Sequence, residues 1–488
     1  MQGKLKIYNT HSKVLETFEP INAPFVGMYV CGPTVYGHPH LGHSRGPIFF
    51  DFLFRYLNHC GYKVRYVKNI TDVGHLINDA DSGDDKIQKQ AKLDQLEPME
   101  VVQKYTESYH DALRKLNLNS PSIEPRATGH ILEQIDMVKK IIKNGFAYES
   151  NGSVYFDVLK YNDAHDYGEL SGRKLEDLIA GSSSRELEGQ SEKQNPNDFA
   201  LWKKAEENHL MKWESPWGMG FPGWHIECSA MSCKYLGDQF DIHGGGLDLL
   251  FPHHESEIAQ SKASCGTQPA KYWMHHNMIT INGQKMAKSL NNGIMLHDFY
   301  TGEHALLEKA YSPMTLKFFQ YQTHYRSTMD FSNEALQASE KGLARLMNGI
   351  ETLKNITPGI AGDFVFNDWK EKCYKAINDD LNSPILIAHL FEAIKYINSV
   401  NDGHTSMDNE TLNDLTKHLN LFVFDLLGLE NEKEQSNSEG DLMQLIITLR
   451  NAAKENKDYS TSDTIRDELN KIGFTIKDGK EGTTYSKN

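Results

Sequence analysis

Cysteine is scarce. Six thiols, Cys31, Cys60, Cys228, Cys233, Cys265 and Cys373, are scattered over 488 residues, and no two form a Cys-x-x-Cys pair. A secreted disulfide framework is thereby excluded, and a reducing compartment is expected. Long apolar runs are missing as well. The most apolar stretches, such as 419–429, are interrupted and too short to span a bilayer, and the first residues lack the apolar segment of a signal peptide, so the expected location is cytoplasmic. Positive charge is in deficit, with 51 Lys+Arg against 66 Asp+Glu, a net charge of -15 and a pI near 5.8. Taken whole, that balance disfavours a nucleic-acid partner. Its distribution does not, because residues 1–70 hold eight basic against three acidic residues, whereas 403–441 hold nine acidic against two basic. A polyanion is expected on the basic part, with the late acids turned to solvent.

What remains is an ordinary globular composition, 39% hydrophobic and 24% charged, with no internal repeat and length for two to four domains. Residues 24–31 read as an apolar strand feeding a Gly/Pro/His-rich loop at 32–42. A helix over 47–57 and a second strand over 62–67 complete a βαβ unit, which puts ligand sites at the carboxyl ends of its strands. Helical periods over 99–116 and 129–143 precede a hairpin turning on Asn151-Gly152. Residues 180–197 are polar and aperiodic, an expected exposed loop. A short strand over 239–243 leads into Gly244-Gly245-Gly246, with a helix expected over 253–262. Beyond about 300 come amphipathic helices, 335–353, 366–377, 384–400 and 409–427, the pattern of an all-α bundle. A charged linker is expected over 430–440, followed by two helical segments and a terminal hairpin.

Three groups of residues carry chemistry. His40-Leu41-Gly42-His43 stands at the loop-to-helix transition, where a glycine admits a ligand to the backbone and a helix N-terminus favours an anion. Alone, the four residues fit an exposed histidine cluster equally well. Lys285-Met286-Ala287-Lys288-Ser289 follows an apolar strand and an Asn282-Gly283 turn; two ammonium groups there can meet a triphosphate as its charge redistributes. In that order, the two loops match the halves of a class I aminoacyl-tRNA synthetase nucleotide site. Finally, His253 and Glu257 are four apart, on one face of a helix, with Cys228 upstream and Cys31 beside the first loop. Spacing leaves His243, His254 and Glu255 open as competing metal ligands.

These residues resemble the cysteinyl-tRNA synthetase family. The resemblance is carried by Tyr29 to Tyr36, His40 to His43, Asn69-Ile70-Thr71-Asp72, Pro222 to Met231, Phe240 to Gly246, Phe251 to Glu255 and Lys285 to Ser289, more weakly by Asp379 to Pro384 and the terminal Gly-Thr-Thr-Tyr. It implies an α/β chain: a Rossmann-like parallel-sheet catalytic domain (1–134 and 201–281) split by a connective insertion (135–200). A Lys loop and stem-contact region (282–355), a helical bundle (356–430) and a linker with a small C-terminal anticodon-binding domain (431–488) follow. It implies one zinc on Cys31, Cys228, His253 and Glu257, a cysteine pocket of Cys31, Thr71, Trp224, His243 and Asp248, and catalysis by His40, His43, Lys285 and Lys288, with Gly42 and Lys288 also at the nucleotide. The implied reaction joins L-cysteine to tRNA(Cys) through cysteinyl-adenylate, with Mg²⁺ on ATP and the metal selecting the thiolate. A monomer is expected, and an insertion too short for an editing domain. Leu41, Ala287 and Tyr485 depart from the family's usual residues.

Overall fold

The computed structural model describes residues 4–74, 86–176, 192–207, 209–286, 292–479 and 482–487. They fall into two compact units, Met1–Leu429 and Glu430–Asn488.

In the larger unit four parallel strands lie in the order Ala270–His276, Phe240–Gly246, Phe25–Val30, Lys63–Lys68. The chain leaves Phe25–Val30, passes through the Gly42–His59 helix and adds Lys63–Lys68 on one side; it later adds the other two strands on the opposite side. The strand order therefore reverses between Phe25–Val30 and Phe240–Gly246, and a crevice opens beyond their carboxyl ends. Cys31 ends one of these strands and its N–H donates to the carbonyl of Gly244 on the other, at 3.0 Å. The strand expected over 239–243 runs on through the three glycines, which are its last three residues. The Gly42–His59 helix packs so closely that a Cβ on Gly244 would lie 2.2 Å from the Phe50 ring.

The expected boundaries at 134/135 and 200/201 cut through the Ile131–Lys143 helix and the Phe199–Lys204 strand. The inserted antiparallel sheet runs from Ala147–Ser150 through Ser153–Phe156 and Phe199–Lys204 to Gly220–Pro222, and has its own core around Val138, Phe156 and Trp202. Its first hairpin turns on Asn151 and Gly152 at φ 53° and 85°, the conformation that the Asn-Gly pair favours. Of the loop expected at 180–197, residues up to 191 lie outside those described; 192–197 carry turns. The helix expected at 253–262 begins at Glu255, after an irregular turn over Leu250–His254.

After the catalytic sheet, Ile279–Ile281 pairs with Gln284–Lys285 and with Met329–Phe331. The bundle follows as Asn333–Lys354, Phe366–Asn378, Ser383–Asn401 and Asn409–Leu419, the last continuing in wider turns over Asn420–Leu426. Phe52 and Leu53 of the Gly42–His59 helix, which carries His43, share one core with Phe318, Leu346, Trp369 and Leu390, so sheet and bundle are welded, not tethered.

In the smaller unit, helices Glu432–Glu455 and Tyr459–Lys471 precede the hairpin Phe474–Gly479 with Gly482–Lys487. The charged stretch read as a linker is the first turns of a helix: its Glu and Lys are strong helix formers although no apolar stripe marks them.

Candidate active site

A cleft of about 450 Å³ opens at the strand-order reversal. Cys31, Thr71, Trp224, Cys228, Asp248 and His253 line one part of it, and His40, Gly42, His43, Lys285 and Met286 another. Its described walls carry three lysines, Lys68, Lys86 and Lys285, and one acid, Asp248.

The His loop is fixed by its own backbone. The N–H of His40 donates to Nδ1 of His43 and that of Gly42 to Nδ1 of His40, each at 3.1 Å, and the two rings stack with centroids 3.8 Å apart. With both Nδ1 atoms accepting, each ring carries its proton on Nε2 and presents a donor. Burial lowers the His40 pKa and holds His43 at about 3, so both donors are neutral near pH 7. The segment after the Lys loop is sewn to the His loop: Leu41 N–H donates to the Ile294 carbonyl at 3.0 Å and Leu296 N–H to the Pro39 carbonyl at 2.8 Å. A Cβ on Gly42 would lie 2.9 Å from both His40 Cε1 and Met286 Cε, so a larger residue here would push those side-chain ends aside. Lys285 is exposed on the rim; Lys288, with Ala287 and Ser289, lies outside the described residues.

On the other side, two overlapping sets of potential metal ligands meet. Cys31, Cys228, His253 and Glu257 offer donor atoms all within 4.8 Å of one another, and so do Cys31, His243, His254 and Glu257. In the first, the sulfurs of Cys31 and Cys228 are 3.7 Å apart, Cys31 Sγ is 3.8 Å from Glu257 Oε1, and His253 Nε2 is 3.2 Å from that oxygen. Cys31, Cys228 and His253 line the cleft, whereas His243 and His254 do not. His243 is thus not on the pocket wall, where it was expected: it stands behind, its Nε2 2.9 Å from Glu257 Oε2. His225 holds the far nitrogen of His253 at 3.0 Å, and His275 holds that of His254 at 2.8 Å. Glu255 turns away and accepts from the N–H groups of Leu170 and Ser171.

Burial pushes the Glu257 carboxyl and the Cys31 thiol well above their usual pKa values, while it holds His243 near 3 and His254 well below its usual value. Acidic donors are therefore packed together beside imidazoles that carry no charge, a set that a divalent cation would convert into ligands.

One organiser lies within the Asn69-Ile70-Thr71-Asp72 match but is given no role by the sequence. Asn69, at the end of the second strand, accepts at Oδ1 from the Gly32 N–H at 2.9 Å and donates from Nδ2 to Thr71 Oγ1 at 3.1 Å, with Cys228 Sγ 3.7 Å from Oδ1. It joins Cys228 and the backbone next to Cys31 to the pocket threonine. Its place at a strand end, matching that of Cys31, was the available signal.

Residues 17–341 match the family described as tRNA synthetases class I (C) catalytic domain, and 372–431 match the DALR domain. Methionyl-tRNA synthetase of Mycobacterium tuberculosis, in complex with methionyl-adenylate, shares the fold at TM-score 0.55 and 14% identity, covering 88% of this chain and 90% of its own. A parallel sheet with a cleft at its reversal and joined His and Lys loops is thus a class I aminoacyl-tRNA synthetase catalytic domain. Cysteine–tRNA ligases of Bacteroides thetaiotaomicron and Phocaeicola vulgatus are 58% and 59% identical to the chain, each over the full length of both proteins. The chain belongs to the cysteine–tRNA ligase family.

Proposed function

We propose that the cleft activates L-cysteine with ATP, forming cysteinyl-adenylate and pyrophosphate, and passes the cysteinyl group to the 3′-terminal ribose of tRNA(Cys). The observation that carries the reading is the two-sided cleft, with neutral histidine donors on one side and a Cys/Cys/His/Glu cluster on the other.

Neither step needs a protein nucleophile, so the residues work by placement and by stabilising moved charge. His40 and His43 donate from Nε2 to phosphate oxygens, and Lys285 and Lys288 take up the negative charge that shifts to pyrophosphate, which Mg²⁺ accompanies. Asp248 faces the substrate ammonium, and Thr71 and Trp224 bound a pocket sized for a small side chain. Asn69 keeps Thr71 and the thiols in register.

The metal is assigned as zinc. Bonds of about 2.0–2.3 Å in a tetrahedron set ligand atoms about 3.3–3.8 Å apart; the separations of 3.7 and 3.8 Å among Cys31, Cys228 and Glu257 fall in that range, and that of 3.2 Å between His253 and Glu257 lies just below it. Two thiols favour a soft ion, and three of this set, Cys31, Cys228 and His253, line the cleft, whereas of the alternative only Cys31 does. Bound there, zinc would take the substrate sulfur as a thiolate, a ligand that serine supplies poorly and alanine not at all. A purely apolar pocket would separate such near-isosteres by only ~1–3 kcal/mol. His243 and His225 hold Glu257 and His253 in orientation. The enzyme is further assigned as a cytoplasmic monomer.

Cysteine-dependent ATP–pyrophosphate exchange, followed by cysteinylation of tRNA(Cys), tests the reading. Exchange is expected to fall with zinc content on chelation and in Cys228→Ser and His253→Ala. Loss of zinc with exchange unchanged would overturn the selection role, and exchange without tRNA charging would overturn the acceptor.

A further inference from the structure

Arg45 lies two residues beyond His43, and its side chain is 3% exposed. Among the described residues it has no carboxylate partner. Its Nε donates to the Asn277 carbonyl at 3.0 Å, and one Nη donates to the carbonyls of His324 at 3.1 Å and Ser327 at 2.8 Å. Burial draws its pKa down to about 10. A buried cation held by main-chain oxygens, with its other Nη 3.3 Å from the Met329 sulfur, is a costly way to join two packed surfaces, for which an apolar side chain of equal volume would serve. It is, however, sensitive to the conformation of the turn that supplies those oxygens.

The same turn is gripped from the other side by Asp380. Its Oδ1 accepts from Tyr325 Oη at 2.8 Å, its Oδ2 from Arg326 Nε at 2.6 Å, and its carbonyl from His324 Nε2 at 3.1 Å. Oδ1 also accepts from the Tyr8 N–H at 2.7 Å. Asp380 and Leu381 sit at φ 57° and 55°, a left-handed pair without glycine. Such a backbone persists only where its surroundings over-determine it. The pair lies between bundle helices Phe366–Asn378 and Ser383–Asn401. Tyr325 closes the circuit by stacking on Phe49 of the Gly42–His59 helix, centroids 3.8 Å apart.

We infer that Asp380 is a positioning residue for adenylate formation, setting the His40–His43 loop through the 324–327 turn and Arg45, so that the bundle junction fixes the geometry of the nucleotide site. The inference rests on the assignment of the cleft to that reaction.

Asp380→Asn keeps the shape and an acceptor for Tyr8 and Tyr325 but loses the acceptor for Arg326. It is expected to lower kcat of cysteine-dependent ATP–pyrophosphate exchange about tenfold, with KM for ATP and cysteine and the zinc content unchanged. Arg45→Lys should do the same, and the double variant should be little worse than either, as for two steps in one line of contact. Ser383→Ala is the control: Ser383 Oγ donates to the Tyr321 carbonyl at 2.8 Å in the same junction, outside the 324–327 turn. It is expected to lower Tm without lowering kcat. Equal loss of kcat in Ser383→Ala, additive losses in the double variant, or an unchanged kcat in Asp380→Asn would each overturn the inference. Should Asp380→Asn not fold, Arg326→Gln removes the same bond from the exposed side. The unaltered chain is assayed in parallel; absence of exchange there refutes the assignment of the cleft, not the linkage.

Discussion

Burial keeps several histidines of this molecule uncharged. His43 and His275 are held at about 3 and His276 at about 4 by burial, against an ordinary value of 6.5. The catalytic consequence is a flat response: between pH 6 and 8 His43 does not titrate, so exchange should show no inflection there attributable to it. An inflection near 6.5 that disappears in His43→Asn would contradict the neutral-donor assignment. The stability consequence has a definite sign. Between about pH 4 and 6.5 the unfolded chain binds protons that the folded chain refuses, so stability is full above 6.5 and is lost as pH falls toward the folded values, at up to about 1.4 kcal/mol per pH unit for each histidine. Thermal unfolding followed from pH 7 to 5 should show a falling Tm, and His275→Gln should lessen the fall. Asn69, 1% exposed, gives a second prediction at this scale. Asn69→Ala leaves the Gly32 N–H without its acceptor and frees Thr71, and should raise KM for cysteine about tenfold with a smaller effect on KM for ATP.

Elements were legible where local chemistry suffices to define them. Asn151-Gly152 and Asn282-Gly283 both adopt the positive φ values their types allow, and the strand into Cys31 and the bundle helices stand where periodicity put them. Elements failed to show where a partner distant in sequence decides. The sequence ends the strand at His243, because glycine weakens strands, yet the strand runs on through Gly246, and at Gly244 the Phe50 ring leaves space for nothing larger. Glu432 onward read as a linker because it lacks an apolar stripe. The site divides likewise: Cys31, Cys228, His253 and Glu257 were named, but spacing could not separate His253 from His254, since each places a nitrogen within 4.0 Å of Glu257. Only the direction of the cleft distinguishes them. The Gly244 contact can be tested directly. Gly244→Ala drives a methyl into a fully buried ring of the Gly42–His59 helix, and overpacking of this kind costs about 1–3 kcal/mol. Urea unfolding should show that loss, and exchange should fall with it, because the displaced helix carries His43; an unchanged urea midpoint would mean that the helix moves aside freely.

At the scale of the molecule the charge balance was the poorest guide. A net charge of -15 accompanies a cleft whose described walls hold three lysines and one acid. Whole-chain charge averages over surfaces that have different tasks. The two compact units differ just as much in how they are held. Met1–Leu429 has continuous cores that weld bundle to sheet, and the DALR match ends at 431, so nearly all of it falls within this unit. Glu430–Asn488 has a described buried core of only Met443, Ile447, Leu469 and Ile476. The task we propose for this unit is to meet the anticodon region of tRNA. A chain ending at Leu429 should therefore keep cysteine-dependent exchange within about twofold of the full chain, while its KM for tRNA(Cys) in cysteinylation rises by about tenfold or more with kcat less affected. Binding of tRNA measured by filter retention should weaken in parallel. If exchange collapses together with Tm, the small unit is a structural prop; if exchange and KM for tRNA both hold, it takes no part in recognition.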